Sequence, residues 1–144
     1  MDPPTIAVVT AIIRDRDGRV LVVRKRGTVE FMKPGGKREA GEDDLAALAR
    51  ELEEELGCRL VEASRLGDFE APAAHQPGFM VRASVYLARV EGAIAPRAEI
   101  EEIAWIDPRA PGGRPLAPLL SEAVLPALAV MAVLERHALT GQGE

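Results

Sequence analysis

The sequence predicts an α/β fold, a mixed β-sheet with helices packed on it. Three observations predict it. Runs rich in β-branched residues alternate with turn-forming stretches along most of the chain. One acidic stretch carries a helical apolar stripe and ends at a glycine, and a second, apolar helical stretch closes the chain. No internal repeat or long linker divides the 144 residues, so residues 1–144 are expected to form one domain with a buried core.

Thr5 to Arg14, TIAVVTAIIR, has the composition of a strand buried on both faces. Asp15 to Gly18 supplies turn chemistry, and RVLVVRKR returns as a second strand. GTVEFMKPGG is irregular: Pro34 restricts Lys33, and Gly35 and Gly36 permit an unusual backbone path. A helix is predicted from Asp43 or Asp44 to Leu56, with Gly57 where a left-handed cap is common. CRLVEASRLGDFEA and GFMVRASVYLARVEG are strand-like and joined through PAAHQP. AEIEEIAWIDP is a charged turn leading into a strand that stops at Pro108, and RAPGGRP is a loop. The remainder is a C-terminal helix whose start Pro118 and Pro126 disturb. The order β-β-α-β-β-β-α suits a mixed sheet between helices.

Composition narrows the function. Hydrophobic content of 47% and charged content of 28% are those of a globular protein. A formal charge of −5 argues against nonspecific nucleic-acid binding. It permits an anionic substrate, because a bound cation inverts the local field. Cys58 is the only cysteine, which excludes an intrachain disulfide and fits a reducing cytosol, so a cytoplasmic protein is expected. The N-terminal MDPPT lacks the basic start and apolar run of a secretion signal. Ala123 to Leu134 is too short to span a bilayer and is broken by Pro126, and it is expected to dock on the core or on a partner subunit.

The acidic helix crowds Glu51, Glu53, Glu54 and Glu55 into its last turns, with Glu42, Asp43 and Asp44 near its start. Like charges three or four apart repel, so something must compensate. With Leu45 at zero on a helical wheel, Leu48, Ala49, Leu52 and Leu56 fall within roughly 60° of it, an apolar stripe facing the sheet. Glu51, Glu54 and Glu55 fall near roughly 240°, 180° and 280°, a separate stripe expected to face away from the core. Glu53, near roughly 80°, is expected to be a solvated flank. Converging carboxylates are either a solvated face or a site for a hard divalent cation such as Mg²⁺. The adjacent Gly-Gly loop, and Arg50 placed to pin a carboxylate, favour the cation site.

Gly36, five residues, Glu42, seven residues and then RELEEELGC match the box G-x5-E-x7-R-E-U-x-E-E-x-G-U of the Nudix hydrolases, where U is a bulky aliphatic. Seven fixed letters at about one in fifteen each give a chance match on the order of 10⁻⁸ per start position. Cys58 departs from the last aliphatic position, but a small apolar thiol can pack there. FMKPGGK before the box and EIEEIAWI after it also resemble the family, so the resemblance spans most of the chain. It implies an α/β/α sandwich in which the box forms a loop-helix-loop.

The resemblance also implies roles. Glu51, Glu54 and Glu55 match the family's metal ligands and catalytic carboxylates, and the Gly35 carbonyl commonly joins the coordination. Arg50 resembles the arginine that orients a catalytic glutamate, and Glu42 a supporting carboxylate. A further carboxylate from a later segment often joins as ligand or base: Glu99 first, with Glu102 and Glu101 as other candidates. The cofactor implied is Mg²⁺, with Mn²⁺ a substitute. The reaction implied splits a nucleoside diphosphate linked to another group, the cation neutralising charge that repels a nucleophile. The substrate class includes nucleoside triphosphates, modified nucleotides, nucleotide sugars and ADP-ribose.

For phosphate contacts the nearby cations are Lys37, beside the glycines, and Arg24 and Arg26, which share one face of the second strand while Lys25 points oppositely. Phe31 and His75 are candidate substrate contacts. Family habit and the apolar C-terminal helix suggest a homodimer. Two other readings on this fold are a non-catalytic nucleotide-sensing module, which tends to lose box glutamates, and an isomerase, which needs a positioned nucleophile.

Overall fold

The computed structural model describes residues 2–142, and the side chains of residues 2–135; His137 lies outside the described side chains. Its elements are β1 (Thr5–Ile13), β2 (Val20–Lys25), β3 (Gly35–Gly36), α1 (Asp44–Leu56), β4 (Arg59–Pro72), β5 (Met80–Glu91), β6 (Ile100–Ile106), a π-helical segment (Leu119–Val124) and α2 (Leu125–Gln142). β3, β1, β5 and β4 form a mixed sheet in that order: β1 and β5 run parallel, and the other pairs are antiparallel. β2 and β6 form a second, antiparallel sheet.

The expected return of β2 along β1 stops after one bridge. The turn forms, with Asp15 N–H bonded to the Arg19 carbonyl at 2.9 Å, and Arg14 pairs with Val20. Beyond that, β1 has no free edge: β5 takes one side, and the other is taken by β3 and by the Ala11 N–H to the Pro34 carbonyl at 3.0 Å. β2 therefore pairs with β6.

Strand alternation places two cores on opposite sides of these strands. Val9, Ala11 and Ile13 of β1 and Leu21 and Val23 of β2 pack with Leu48, Leu52 and Leu56 of α1. Ile12, Val20, Val22, Ala83 and Val85 pack with Leu120, Val124 and Leu128 of the C-terminal helical segment. The result is the expected helix-on-both-faces sandwich. Pro126 lacks an N–H, and just before it the chain bonds i to i+5, Leu125 N–H donating to the Leu120 carbonyl. Among the described residues no helix is long and apolar enough to cross a membrane.

α1 begins and ends where the sequence places it. Asp43 caps it, Oδ1 accepting from Ala46 N–H at 2.8 Å, and Gly57 closes it in the left-handed region at φ 73°. Asp43→Ala should cost about 1 kcal/mol in chemical denaturation, with no change in the folded far-UV spectrum. The buried face of the helix is rotated from the expected one. Leu45 is 45% exposed, whereas Ala47, Leu48, Leu52, Glu55 and Leu56 are buried. Cys58 is buried behind the helix end, and burial pushes its thiol pKa up.

Candidate active site

A glycine pair and a buried carboxylate form the centre of the site. Gly35 pairs with Thr10 of β1, at φ 140°, and a Cβ there would lie 2.1 Å from the Val9 carbonyl oxygen. Only glycine fits so close an approach. It brings the chain under the last turns of α1, where Gly35 N–H donates to Glu55 Oε1 at 2.9 Å. Glu55 is 2% exposed. Burial raises its pKa to about 7; the Gly35 N–H acts against this, the negative charges of Glu51 and Glu99 add to it, and Lys25 opposes them. Glu55 was expected on the face turned away from the core. On the wheel, however, it lies only roughly 20° from Leu48, and packing carries both inward.

Arg50 organises the rest of the box. Its Nε and Nη2 bind the two oxygens of Glu42 at 2.7 and 2.9 Å, a bidentate clamp. Nη2 also donates to the Lys37 carbonyl at 3.0 Å, tying the glycine-rich loop to the helix. Nη1 meets Glu51 Oε1 at 2.9 Å and lies 3.5 Å from Glu54 Oε2 and 3.6 Å from Glu39 Oε1. The Arg50 hydrogen bonds hold the Glu42 carboxyl well below the usual range, at about 2, and raise the pKa of Arg50 itself. One guanidinium thus offsets much of the repulsion among the acids. Arg50→Lys keeps the charge but loses the fork. It should lower kcat/KM or metal affinity about 10- to 100-fold in steady-state assays.

The donor set suits a hard divalent cation. Glu55 is a buried carboxylate held by one N–H, and Gly36 is bare where a Cβ would come within 2.6 Å of Glu51 Oε1. Residues Glu51, Glu54 and Glu55, with the Gly35 carbonyl, are the groups that would hold it. Among the described residues, no three His, Cys, Asp or Glu side chains already stand together as a metal cage. Glu51 and Glu54 both face the Arg50 guanidinium, while Glu55 turns to Gly35.

Beside these residues opens a cavity of about 410 Å³. Glu51, Glu99, Lys25 and Lys37 line it, as do Gly35, Gly36, His75 and Gln76. Glu99 is largely exposed, with Lys25 Nζ 3.5 Å from its Oε1. His75 Nε2 lies 3.3 Å from Glu30 Oε2. The structure does not bring Arg24 and Arg26 to this cavity. Arg24 Nε bonds Glu102 Oε1 at 3.1 Å, and Arg26 Nε bonds Glu101 Oε2 at 3.3 Å, both to carboxylates of β6. Phe31 is also apart from it, packed in the core with the Arg114 guanidinium 5.8 Å above its ring.

Two charged lining residues escaped the sequence-based expectations, Lys25 and Lys33. For Lys25 the signal was available, since it alternates with arginines whose partners lie one strand away. Lys33 is 5% exposed, and burial alone lowers its ammonium pKa to about 7. Its place beside Pro34 and two glycines gives no hint of burial.

A family model described as "NUDIX domain" matches residues 4–128. Over 61 residues the chain is 41% identical to an 8-oxo-dGTP diphosphatase of Haemophilus influenzae, a match covering 40% of this chain and less than half, 45%, of that protein. The crystal structure of a MutT NUDIX hydrolase from Burkholderia pseudomallei superposes with a TM-score of 0.67 and 30% identity, covering 78% of this chain and 89% of that one. The solution structure of the E. coli ORF135 protein gives a TM-score of 0.69 and 27% identity, with 92% of each chain covered.

Proposed function

The chain belongs to the NUDIX family, and from that premise we propose that it hydrolyses a nucleoside diphosphate linked to a further group, with Mg²⁺ or Mn²⁺ held by Glu51, Glu54 and Glu55. The observation that carries this reading is the meeting of the acidic edge of α1 with the 410 Å³ cavity. The lining combines charged groups, Glu51, Glu99, Lys25 and Lys37, with apolar ones, Ile6, Val8, Val81 and Leu119. A nucleotide has the same mixed character, charged phosphates joined to a largely apolar base.

When bound, the cation neutralises phosphate charge and acidifies water. The chain's residues do the rest. Lys37 and Lys25 face the phosphates, and Arg50 fixes the orientation of Glu51. Glu51, Glu54 or Glu99 accepts the proton of the attacking water. The 8-oxo-dGTP diphosphatase named on the Haemophilus influenzae match supports a nucleoside triphosphate or modified nucleotide as substrate, with nucleotide sugars and ADP-ribose as members of the same class.

Incubation with a panel of nucleotide diphosphate compounds and Mg²⁺ or Mn²⁺ in ¹⁸O-labelled water tests the reading, with products identified by mass. A nucleoside monophosphate and its partner product, one of them labelled, are expected. Cleavage of none of them, or equal cleavage with a chelator, overturns it. We also propose a single-domain, cytoplasmic homodimer. The single thiol, Cys58, is free, and Val130, Val133 and Leu134 are exposed on α2 for a second subunit to cover.

A further inference from the structure

We propose that Arg38 is a positioning residue: it clamps the loop that carries Lys37, so that the Lys37 ammonium is held toward the phosphates of the substrate. The role given to Lys37 rests on the nucleotide-hydrolase reading; the clamp rests on geometry. Strand β3 ends at Gly36 and α1 begins at Asp44. Between them the described residues form one backbone-to-backbone hydrogen bond, Glu42 N–H to the Glu39 carbonyl at 3.0 Å. The rest of the loop is held by side chains.

Two guanidiniums grip the peptide after Lys37. Arg50 Nη2 donates to the Lys37 carbonyl at 3.0 Å. One residue on, Arg38 Nε donates to Asp44 Oδ1 at 2.6 Å and Nη2 to Ser84 Oγ at 3.2 Å. Arg38 thus ties the loop to the first turn of α1 and to β5, an inner strand of the sheet. Both anchors are fixed in turn. Tyr86, 9% exposed, donates its hydroxyl to the other Asp44 oxygen at 2.6 Å. Ser84 Oγ donates to Asp68 Oδ1 at 3.0 Å, and Arg82 Nη2 to Asp68 Oδ2 at 3.1 Å. Asp68 stands opposite Ser84 in the β4–β5 register, which brings that pair together.

The clamp acts where the loop meets the cavity. Lys37 lines the cavity with Gly36 and Glu51, while Arg38 takes no part in its wall. A lysine carries its charge on a flexible four-carbon stem, so its aim depends on the backbone beneath it. Fixing that backbone before the ligand arrives reduces the ordering cost of binding. Arg38 therefore acts through Lys37 and not by touching the ligand.

Hydrogen exchange read by mass spectrometry, beside steady-state kinetics, tests this. In Arg38→Ala the amides of residues 37–42 should exchange on the order of tenfold faster, with those of α1 unchanged. KM for the nucleotide cleaved should rise on the order of fivefold while kcat stays within about twofold. Arg38→Lys should recover part of the KM. Tyr86→Phe, which removes only the hydroxyl behind Asp44, should move both readouts the same way by less. In a Lys37→Met background Arg38→Ala should no longer change KM, because the residue it aims is gone. Unchanged exchange over residues 37–42, or an undiminished effect on KM in the Lys37→Met background, would overturn the assignment. Cleavage of no nucleotide would sink the hydrolase reading, and the exchange result alone would then decide the clamp.

Discussion

Glu55→Gln is expected to abolish turnover while making the metal-free protein more stable at pH 8. The activity loss follows from removing a ligand charge from the proposed cation site, and should be on the order of 10³-fold in kcat/KM. The stability gain follows from burial. The folded-state pKa of Glu55, about 7, lies above the ordinary glutamate value of 4.5. Between those values the folded protein binds more protons than the unfolded chain, so stability falls as pH rises through this window. A shift of that size corresponds to about 3 kcal/mol lost by pH 8. Glutamine keeps an amide oxygen for the Gly35 N–H and carries no charge, so the variant should not show this loss. Denaturant titrations in chelator at pH 5 and pH 8 check it. The difference between the two proteins cancels Lys33, whose lowered pKa acts in the opposite sense above pH 7. Adding Mg²⁺ should restore the wild type and leave the variant unchanged. Equal stabilities at both pH values would contradict the assignment.

Gly35→Ala should be among the most damaging single substitutions in the chain. The added carbon would lie 2.1 Å from the Val9 oxygen and 2.7 Å from Thr10 Cα, both backbone atoms that cannot step aside. The φ of 140° adds strain for any side chain. A cost of about 3 kcal/mol or more is expected, with loss of the Glu55 hydrogen bond. Gly36→Ala should behave differently. Its Cβ would strike only the Glu51 carboxylate, at 2.6 Å, the end of a flexible side chain. That variant should keep most of its melting temperature and lose most of its activity. Thermal denaturation beside a hydrolysis assay separates the two, and a Gly35→Ala protein melting like the wild type would refute the packing argument.

Much of this was legible in the sequence. α1 and its glycine cap were readable because capping chemistry, apolar spacing and a left-handed terminator agree over a short window. The long strands were readable from their β-branched runs. The sheet partner of β2 was not, because a local turn says nothing about which strand edges are already taken. The burial of Glu55 escaped because a wheel assigns faces by residue type, and a carboxylate next to Leu48 was assumed to seek water. Arg24 and Arg26 looked like phosphate ligands until β6 brought Glu102 and Glu101 across from them. Pairing of that kind depends on register between segments some 75 residues apart.

β1 serves both cores at once, Val9, Ala11 and Ile13 facing one helix and Ile12 the other. A one-residue deletion inside it would exchange these audiences, sending every side chain beyond the cut to the wrong layer. Over generations this strand should accept substitution but refuse changes in length, whereas the turn at Gly112 and Gly113, with open space around both, can lengthen. Where indels settle in descendants of this chain is thus decided by the strand that both layers share.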